Sequence, residues 1–128
     1  MAIGNQWASA PVPHEGVPGQ LHLRRIEPGM EPKGFSLVAL AFLENPCEPS
    51  QAQRITATIQ AQLESRPTAL LVAAHYLKNG KVVWYAYAAS RKALDDAFAI
   101  LGQKFSLYLG VNEDPDWKEY KFMRGLVP

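Results

Sequence analysis

The chain has 128 residues, 48% hydrophobic and 20% charged, which is typical of a single folded domain with one core and excludes a disordered chain. Thirteen basic and twelve acidic residues give a net charge of +1, so no overall field draws the chain to nucleic acid or to an anionic membrane. The start of the chain lacks the basic segment and apolar run of a signal peptide, and no stretch of about 18 apolar residues predicts a membrane span.

Cysteine usage indicates a reducing compartment, and we expect a cytoplasmic location. Cys47 is the single cysteine, so it cannot form an internal disulfide, and no His stands at metal-ligand spacing from it. His14, His22 and His75 are scattered along the chain rather than spaced as two ligands on one element. The sequence therefore predicts no metal and no cofactor.

The first eighteen residues contain three prolines and two glycines, a density of breakers that predicts an extended arm over residues 1–18. We expect residues 19–128 to form one α+β domain. In chain order the predicted elements are strands over residues 20–27 and 34–43, a helix from Ser50 to Pro67, strands over 68–78 and 81–89, a helix from Ser90 to Gly102, a strand over 105–111 and a short helical tail from Asp114 through Met123.

Caps and apolar spacing predict the two main helices. Ser50 with Gln53 three residues later matches a capping box. Ser90 can cap the second helix, and Gly102 can end it. Each helix carries one apolar stripe for the core. The stripes are Ala52, Ile55, Ile59 and Leu63 in the first helix and Ala93, Leu94, Ala97, Phe98 and Leu101 in the second.

A hairpin is predicted at Asn79-Gly80, a dipeptide that accepts the positive φ angles of a type I′ turn and that separates two β-rich runs. A two-residue turn would place Leu77 opposite Val82 and His75 opposite Trp84. The prediction therefore sets both the turn type and the register of the two strands.

The order of elements predicts a ferredoxin-like two-layer sandwich, in which two helices cover one face of a mostly antiparallel five-stranded sheet (β-β-α-β-β-α-β). Apolar and aromatic residues are predicted on both sheet faces, so the second face also needs a cover. Trp117 and Tyr120 are three residues apart, on one helical face of the tail. We expect the tail and a partner protein to share the covering of that face.

The segment Glu113-Asp114-Pro115-Asp116-Trp117-Lys118-Glu119-Tyr120 follows the aromatic strand Trp84-Tyr85-Ala86-Tyr87. This combination resembles the bacterial family called domain of unknown function 695, and the resemblance covers residues 19–128. The family carries no established activity, so the resemblance implies no catalytic residue. The proline-rich start lies outside it.

Some side chains suggest chemistry, but each has a structural interpretation too. Asp95-Asp96 and the acidic run 113–116 could do acid–base work or hold a divalent cation, yet negative charge is also favourable near a helix N-terminus. His75 is either a packed imidazole or a general base that needs a neighbouring carboxylate. Arg24-Arg25 and the strand tyrosines suggest an RNA-binding sheet, but the ribonucleoprotein motif is missing.

The function that these observations favour is a non-catalytic protein-binding module, a class that includes regulatory inhibitors and toxin-immunity proteins. It would bind another protein, or a second copy of itself as a homodimer, through an aromatic sheet face or an exposed edge strand. The alternative is a small enzyme or a small-ligand-binding domain with a pocket between the sheet and the C-terminal tail. No catalytic residue is predicted, and neither a membrane nor nucleic acid is expected as a partner. The candidate binding residues are His75, Trp84, Tyr85, Tyr87, Tyr108, Asp114, Trp117 and Tyr120.

Overall fold

A computed structural model describes residues 4–128, which form an α+β fold with one antiparallel sheet. The spatial order of the strands is β1-β2-β4-β5-β3-β6, and every neighbouring pair is antiparallel. The strands are β1 (Trp7–Pro11), β2 (Gly19–Arg24), β3 (Leu37–Leu43), β4 (Ala69–Leu77), β5 (Val82–Ala88) and β6 (Leu107–Glu113), and the helices are α1 (Pro49–Glu64), α2 (Arg91–Leu101) and α3 (Lys118–Leu126).

The sheet has six strands rather than the predicted five. The additional strand, β1, comes from the proline-rich stretch and pairs with β2 from Trp7 opposite Arg24 to Pro11 opposite Gln20. Proline is tolerated at this place because β1 is an edge strand, where a missing N–H leaves no gap in the ladder. Part of the predicted extended arm, β1, therefore belongs to the sheet.

Helices α1 and α2 cover one sheet face, called here the helix face, and the predicted apolar stripes point into it. Ala52, Ile55, Ile59 and Leu63 are all buried in α1, as predicted. In α2, the Ser90 hydroxyl accepts a hydrogen bond from the backbone N–H of Ala93 at 3.2 Å, which confirms the predicted cap. The predicted stop also holds, since α2 ends before Gly102.

The start of α1 differs from the prediction. Glu48 is the N-cap residue, Pro49 is the first helical residue, and no side chain caps the helix. The capping box of Ser50 with Gln53 is therefore wrong. Proline favours this earlier start because its fixed φ suits the first helical position and its missing N–H would have no partner there.

The β4–β5 hairpin has a glycine bulge instead of a type I′ turn. The N–H of Gly80 donates to the carbonyl of Leu77 at 3.0 Å, and the N–H of Leu77 donates to the carbonyl of Lys81 at 2.9 Å. Gly80 has a φ of 87°, whereas Asn79 is not among the residues with positive φ. A type I′ turn needs positive φ at both positions, so the predicted turn type is wrong.

The bulge adds one residue to the turn and so moves the register by one residue. Because side chains alternate between faces along a strand, this shift changes which residues of the two strands share a face. The predicted pairs of Leu77 with Val82 and of His75 with Trp84 are therefore wrong, and His75 and Trp84 point to opposite faces. The observed pairs at this end of the hairpin are Tyr76 with Val82, His75 with Val83 and Ala74 with Trp84.

Helix α3 packs on the opposite sheet face, called here the tail face. Trp117, Tyr120 and Met123 are buried against β-strand residues such as Val38 and Tyr87, so the prediction that the tail covers this face is confirmed. The helix starts at Lys118, after a turn that begins at Asp114. Within residues 4–128, no helix is long and apolar enough to cross a membrane.

Candidate functional site

The eight predicted binding residues do not form one site. Trp84 lies under the helices, and five others lie in α3, just before it or beneath it on the tail face. His75 is buried by the loop that follows β1, and only Tyr108 is well exposed, at 51%. The five residues grouped with α3 are Tyr85, Tyr87, Asp114, Trp117 and Tyr120.

The Asp114 carboxylate is the centre of a buried network under α3. It accepts hydrogen bonds from the Tyr87 hydroxyl at 2.6 Å and from the backbone N–H groups of Lys118 and Glu119 at 2.9 and 3.0 Å. Burial alone would raise the pKa of Asp114, but these bonds and the Lys118 charge outweigh it and hold the pKa below its usual value. Asp114 therefore ties the start of α3 to the sheet.

Aromatic stacking completes this network. The rings of Tyr87 and Trp117 stack with centroids 3.9 Å apart, and the Trp117 indole N–H donates to the Phe35 carbonyl at 2.8 Å. The Tyr120 hydroxyl donates to the Arg24 carbonyl at 2.6 Å. Burial first, and then its bond to Asp114, raise the pKa of Tyr87, so this phenol stays protonated. The arrangement holds the tail on the sheet.

Trp84 and His75 also have structural partners. The Trp84 indole N–H donates to the Thr56 hydroxyl at 2.8 Å, which ties β5 to α1. His75 bonds the Val12 carbonyl at 2.7 Å rather than a carboxylate. Burial lowers the pKa of His75 despite that bond, so its ring is neutral near pH 7. The packed-imidazole interpretation therefore fits His75 better than a general base.

The exposed candidate is an aromatic pair, Phe42 and Tyr108. We call this pair and the unpaired side of β6 the edge patch. Their ring centroids lie 5.1 Å apart with the planes inclined by 30°, and the two residues are 43% and 51% exposed. Phe42 lies opposite Tyr108 in the β3–β6 ladder. Sequence reasoning missed Phe42, although the apolar residues on both sides of β3 already indicated a second buried or binding face.

Strand β6 ends the sheet, and no strand of residues 4–128 pairs with its outer side. Its sequence contains no proline and a single charge, Glu113 at the very end. Natural proteins usually protect a free edge with lysine, proline or a short strand. The opposite edge follows that rule, because β1 has five residues and ends in Pro11. The β6 edge is therefore open to another strand.

A cleft of about 1020 Å³ lies on the helix-face side of the sheet, between the start of α1, the hairpin turn and β2. Its most notable side chains are His22, Cys47 and Tyr76. Burial lowers the pKa of His22, so its ring is neutral near pH 7. Burial, and then the neighbouring Glu48, raise the pKa of the Cys47 thiol. A protonated thiol is a poor nucleophile, so Cys47 is less reactive near pH 7 than an unperturbed cysteine.

Between the sheet and the tail, where a pocket was predicted, lies a smaller cavity of about 220 Å³. It lies beside β2 and is lined by Tyr120, Arg124 and Val127 among others. This volume falls below the usual range for small-molecule sites, roughly 300–1,000 Å³. The larger cleft lies on the other side of the sheet, where sequence reasoning placed no site.

No group of His, Cys, Asp and Glu side chains in residues 4–128 could hold a metal ion. Comparison of the chain with protein-family models, with curated proteins and with solved structures finds no match. The candidate function therefore depends on the geometry of the edge patch and of the cleft.

Proposed function

We propose that this chain is a non-catalytic protein-binding module and that it binds a second copy of itself through the edge patch. The observation that carries the proposal is the exposed, stacked pair of Phe42 and Tyr108 beside an open strand edge. Exposed aromatic side chains are favoured in protein interfaces, and an unprotected edge offers unpaired backbone groups to an added strand.

The β6 edge suits pairing with a copy of itself. In an antiparallel two-fold pair centred on Gly110, Leu109 of one copy would lie opposite Val111 of the other, and Tyr108 opposite Asn112. None of these residues carries a charge, so no like charges meet. Two-fold pairing is the commonest oligomeric arrangement, because one surface complements itself. We expect an interface of about 1,200 Å² or more in total.

The proposal extends to the fold and the family. From β3 onward the strands lie in the order β6-β3-β5-β4, with α1 and α2 packed on one face. This order supports a ferredoxin-like sandwich to which β2 and β1 have been added. We also propose membership of the domain of unknown function 695 family, for which the support is the residue signature at 113–120. Regulatory inhibition and toxin immunity are the wider roles that such a binding module would serve.

Sedimentation equilibrium at micromolar concentration tests the proposal. The wild-type chain should have the mass of a dimer, and Tyr108→Lys should shift it to a monomer, because a lysine on an edge strand opposes strand pairing. Ile100→Lys is a matched control, since Ile100 is 39% exposed on α2, on the other face. It should leave the dimer intact.

Hydrogen exchange shows whether the dimer uses this edge. Backbone N–H groups on the outer side of β6 should exchange more slowly as the protein concentration rises, and this dependence should disappear in Tyr108→Lys. A wild-type chain that stays monomeric, or a dimer that Tyr108→Lys leaves unchanged, would contradict the proposal.

A further inference from the structure

The cleft at the start of α1 has rigid walls. The N–H of Cys47 donates to the Gly80 carbonyl at 3.0 Å, and the N–H of Lys78 donates to the Pro18 carbonyl at 2.8 Å. These bonds join the loop before α1, the hairpin turn and the loop before β2. Four prolines in the lining restrict the backbone further. They are Pro11, Pro18, Pro46 and Pro49.

Two glycines allow these segments to approach so closely. A Cβ on Gly80 would lie 2.8 Å from the Cβ of Pro46, and a Cβ on Gly19 would lie 2.8 Å from the Tyr76 carbonyl oxygen. Because the walls are held by backbone contacts, the cleft is preformed and loses little conformational entropy when a ligand binds.

The cleft offers an aromatic surface. His22 and Tyr76 meet edge to face with centroids 5.0 Å apart. The Tyr76 hydroxyl already donates its proton to Thr56 at 2.7 Å, so Tyr76 offers a ligand its ring face and a hydroxyl oxygen that can still accept a hydrogen bond. Within residues 4–128, the contact that the His22 ring makes with an aromatic neighbour is the one with Tyr76, and no side-chain hydrogen bond of His22 is observed. A neutral imidazole without a partner can both donate and accept a hydrogen bond.

The remaining lining groups favour an uncharged ligand. Glu48 and Lys78 are the charged residues of the lining; both are exposed and their charges cancel. Neutral amide side chains supply the other polar groups, and each can donate and accept hydrogen bonds. They are Gln20, Gln51, Gln53 and Asn79.

We propose that this cleft is a binding site for a small, uncharged aromatic or heteroaromatic molecule that carries an amide or a similar hydrogen-bonding group. The ring packs against His22 and Tyr76, and the polar group pairs with the His22 ring and the neighbouring amides. The site is separate from the edge patch and does not depend on self-association.

Nicotinamide is a suitable probe, because nicotinate is a control with the same ring and a carboxylate in place of the amide. In an NMR titration of the full chain, nicotinamide should shift the backbone resonances of Gln20, His22, Cys47 and Tyr76, whereas nicotinate should bind much more weakly. At alkaline pH, where part of the Cys47 thiol is ionised, its alkylation by iodoacetamide should slow as nicotinamide occupies the cleft, which gives a second readout.

His22→Leu should weaken nicotinamide binding about tenfold, because it removes one hydrogen bond and half of the aromatic pair. His14→Leu is the control, since His14 is outside the cleft lining, and it should bind as the wild type does. The NMR spectrum shows whether each variant is folded. Shifts outside the cleft, equal binding of nicotinate, or unchanged binding to a folded His22→Leu variant would overturn the proposal.

Discussion

Replacement of Trp117 by alanine should destabilise the fold strongly, because this side chain holds α3 on the sheet. Trp117 is 3% exposed, stacks on Tyr87 at 3.9 Å and donates to the Phe35 carbonyl at 2.8 Å. Truncation of a buried Trp or Phe to Ala typically costs about 3–5 kcal/mol. The lost donor leaves a carbonyl without its partner, which adds about 1 kcal/mol if water cannot reach it. We therefore expect a loss of about 3–6 kcal/mol.

The backbone at Trp117 provides an internal control. Its φ of 57° lies in the left-handed region, which costs an L-residue about 1–2 kcal/mol and costs glycine little. Trp117→Gly removes the same contacts and also relieves this strain. It should therefore be more stable than Trp117→Ala, in spite of the greater flexibility of glycine in the unfolded chain.

Urea denaturation followed by circular dichroism measures both variants against the wild type, and unchanged m-values would show that the extent of unfolding is the same. A loss below about 1 kcal/mol in Trp117→Ala would refute the argument that the tail is part of the core. A glycine variant that is less stable than the alanine variant would refute the left-handed conformation at Trp117.

Two further predictions concern the hairpin and the pH dependence of stability. Gly80→Ala should destabilise more than Gly29→Ala, because both glycines have positive φ but a Cβ on Gly80 would also lie 2.8 Å from Pro46, whereas Gly29 has open space; equal melting temperatures would contradict the close packing of the turn. Asp114→Asn tests the network under α3. The folded-state pKa of Asp114 is depressed. The carboxylate therefore contributes its full share to the free energy of unfolding above the unfolded-state pKa of about 3.9, and this share is lost as the pH falls through the folded-state pKa. The stability gap between wild type and Asp114→Asn should therefore narrow below about pH 5, and a gap that is constant down to pH 2 would contradict the role of the carboxylate.

The candidate site could be predicted only in part. The spacing of Trp117 and Tyr120 predicted correctly that the tail would pack on the sheet, because residues three apart share a helical face. The same packing buries them, so aromatic composition alone did not separate a binding surface from a core. Tyr108 is the one predicted residue that stays well exposed, because its strand lies at the edge of the sheet. The sequence of a strand does not show whether that strand lies at an edge.

Local signals in the sequence determined the helices and the apolar character of both sheet faces. The stripe from Ala52 to Leu63 and the Ser90 cap depend on residues within a few turns of each other, so they can be read without knowing the fold. Tertiary structure decided the rest. The pairing of β1, the one-residue shift of the hairpin, the open edge of β6 and the cleft beside Cys47 all depend on contacts between segments far apart in the chain. A one-residue shift reverses the face of every side chain in a strand, and with the glycine bulge at Gly80 His75 and Trp84 lie on opposite sides of the sheet.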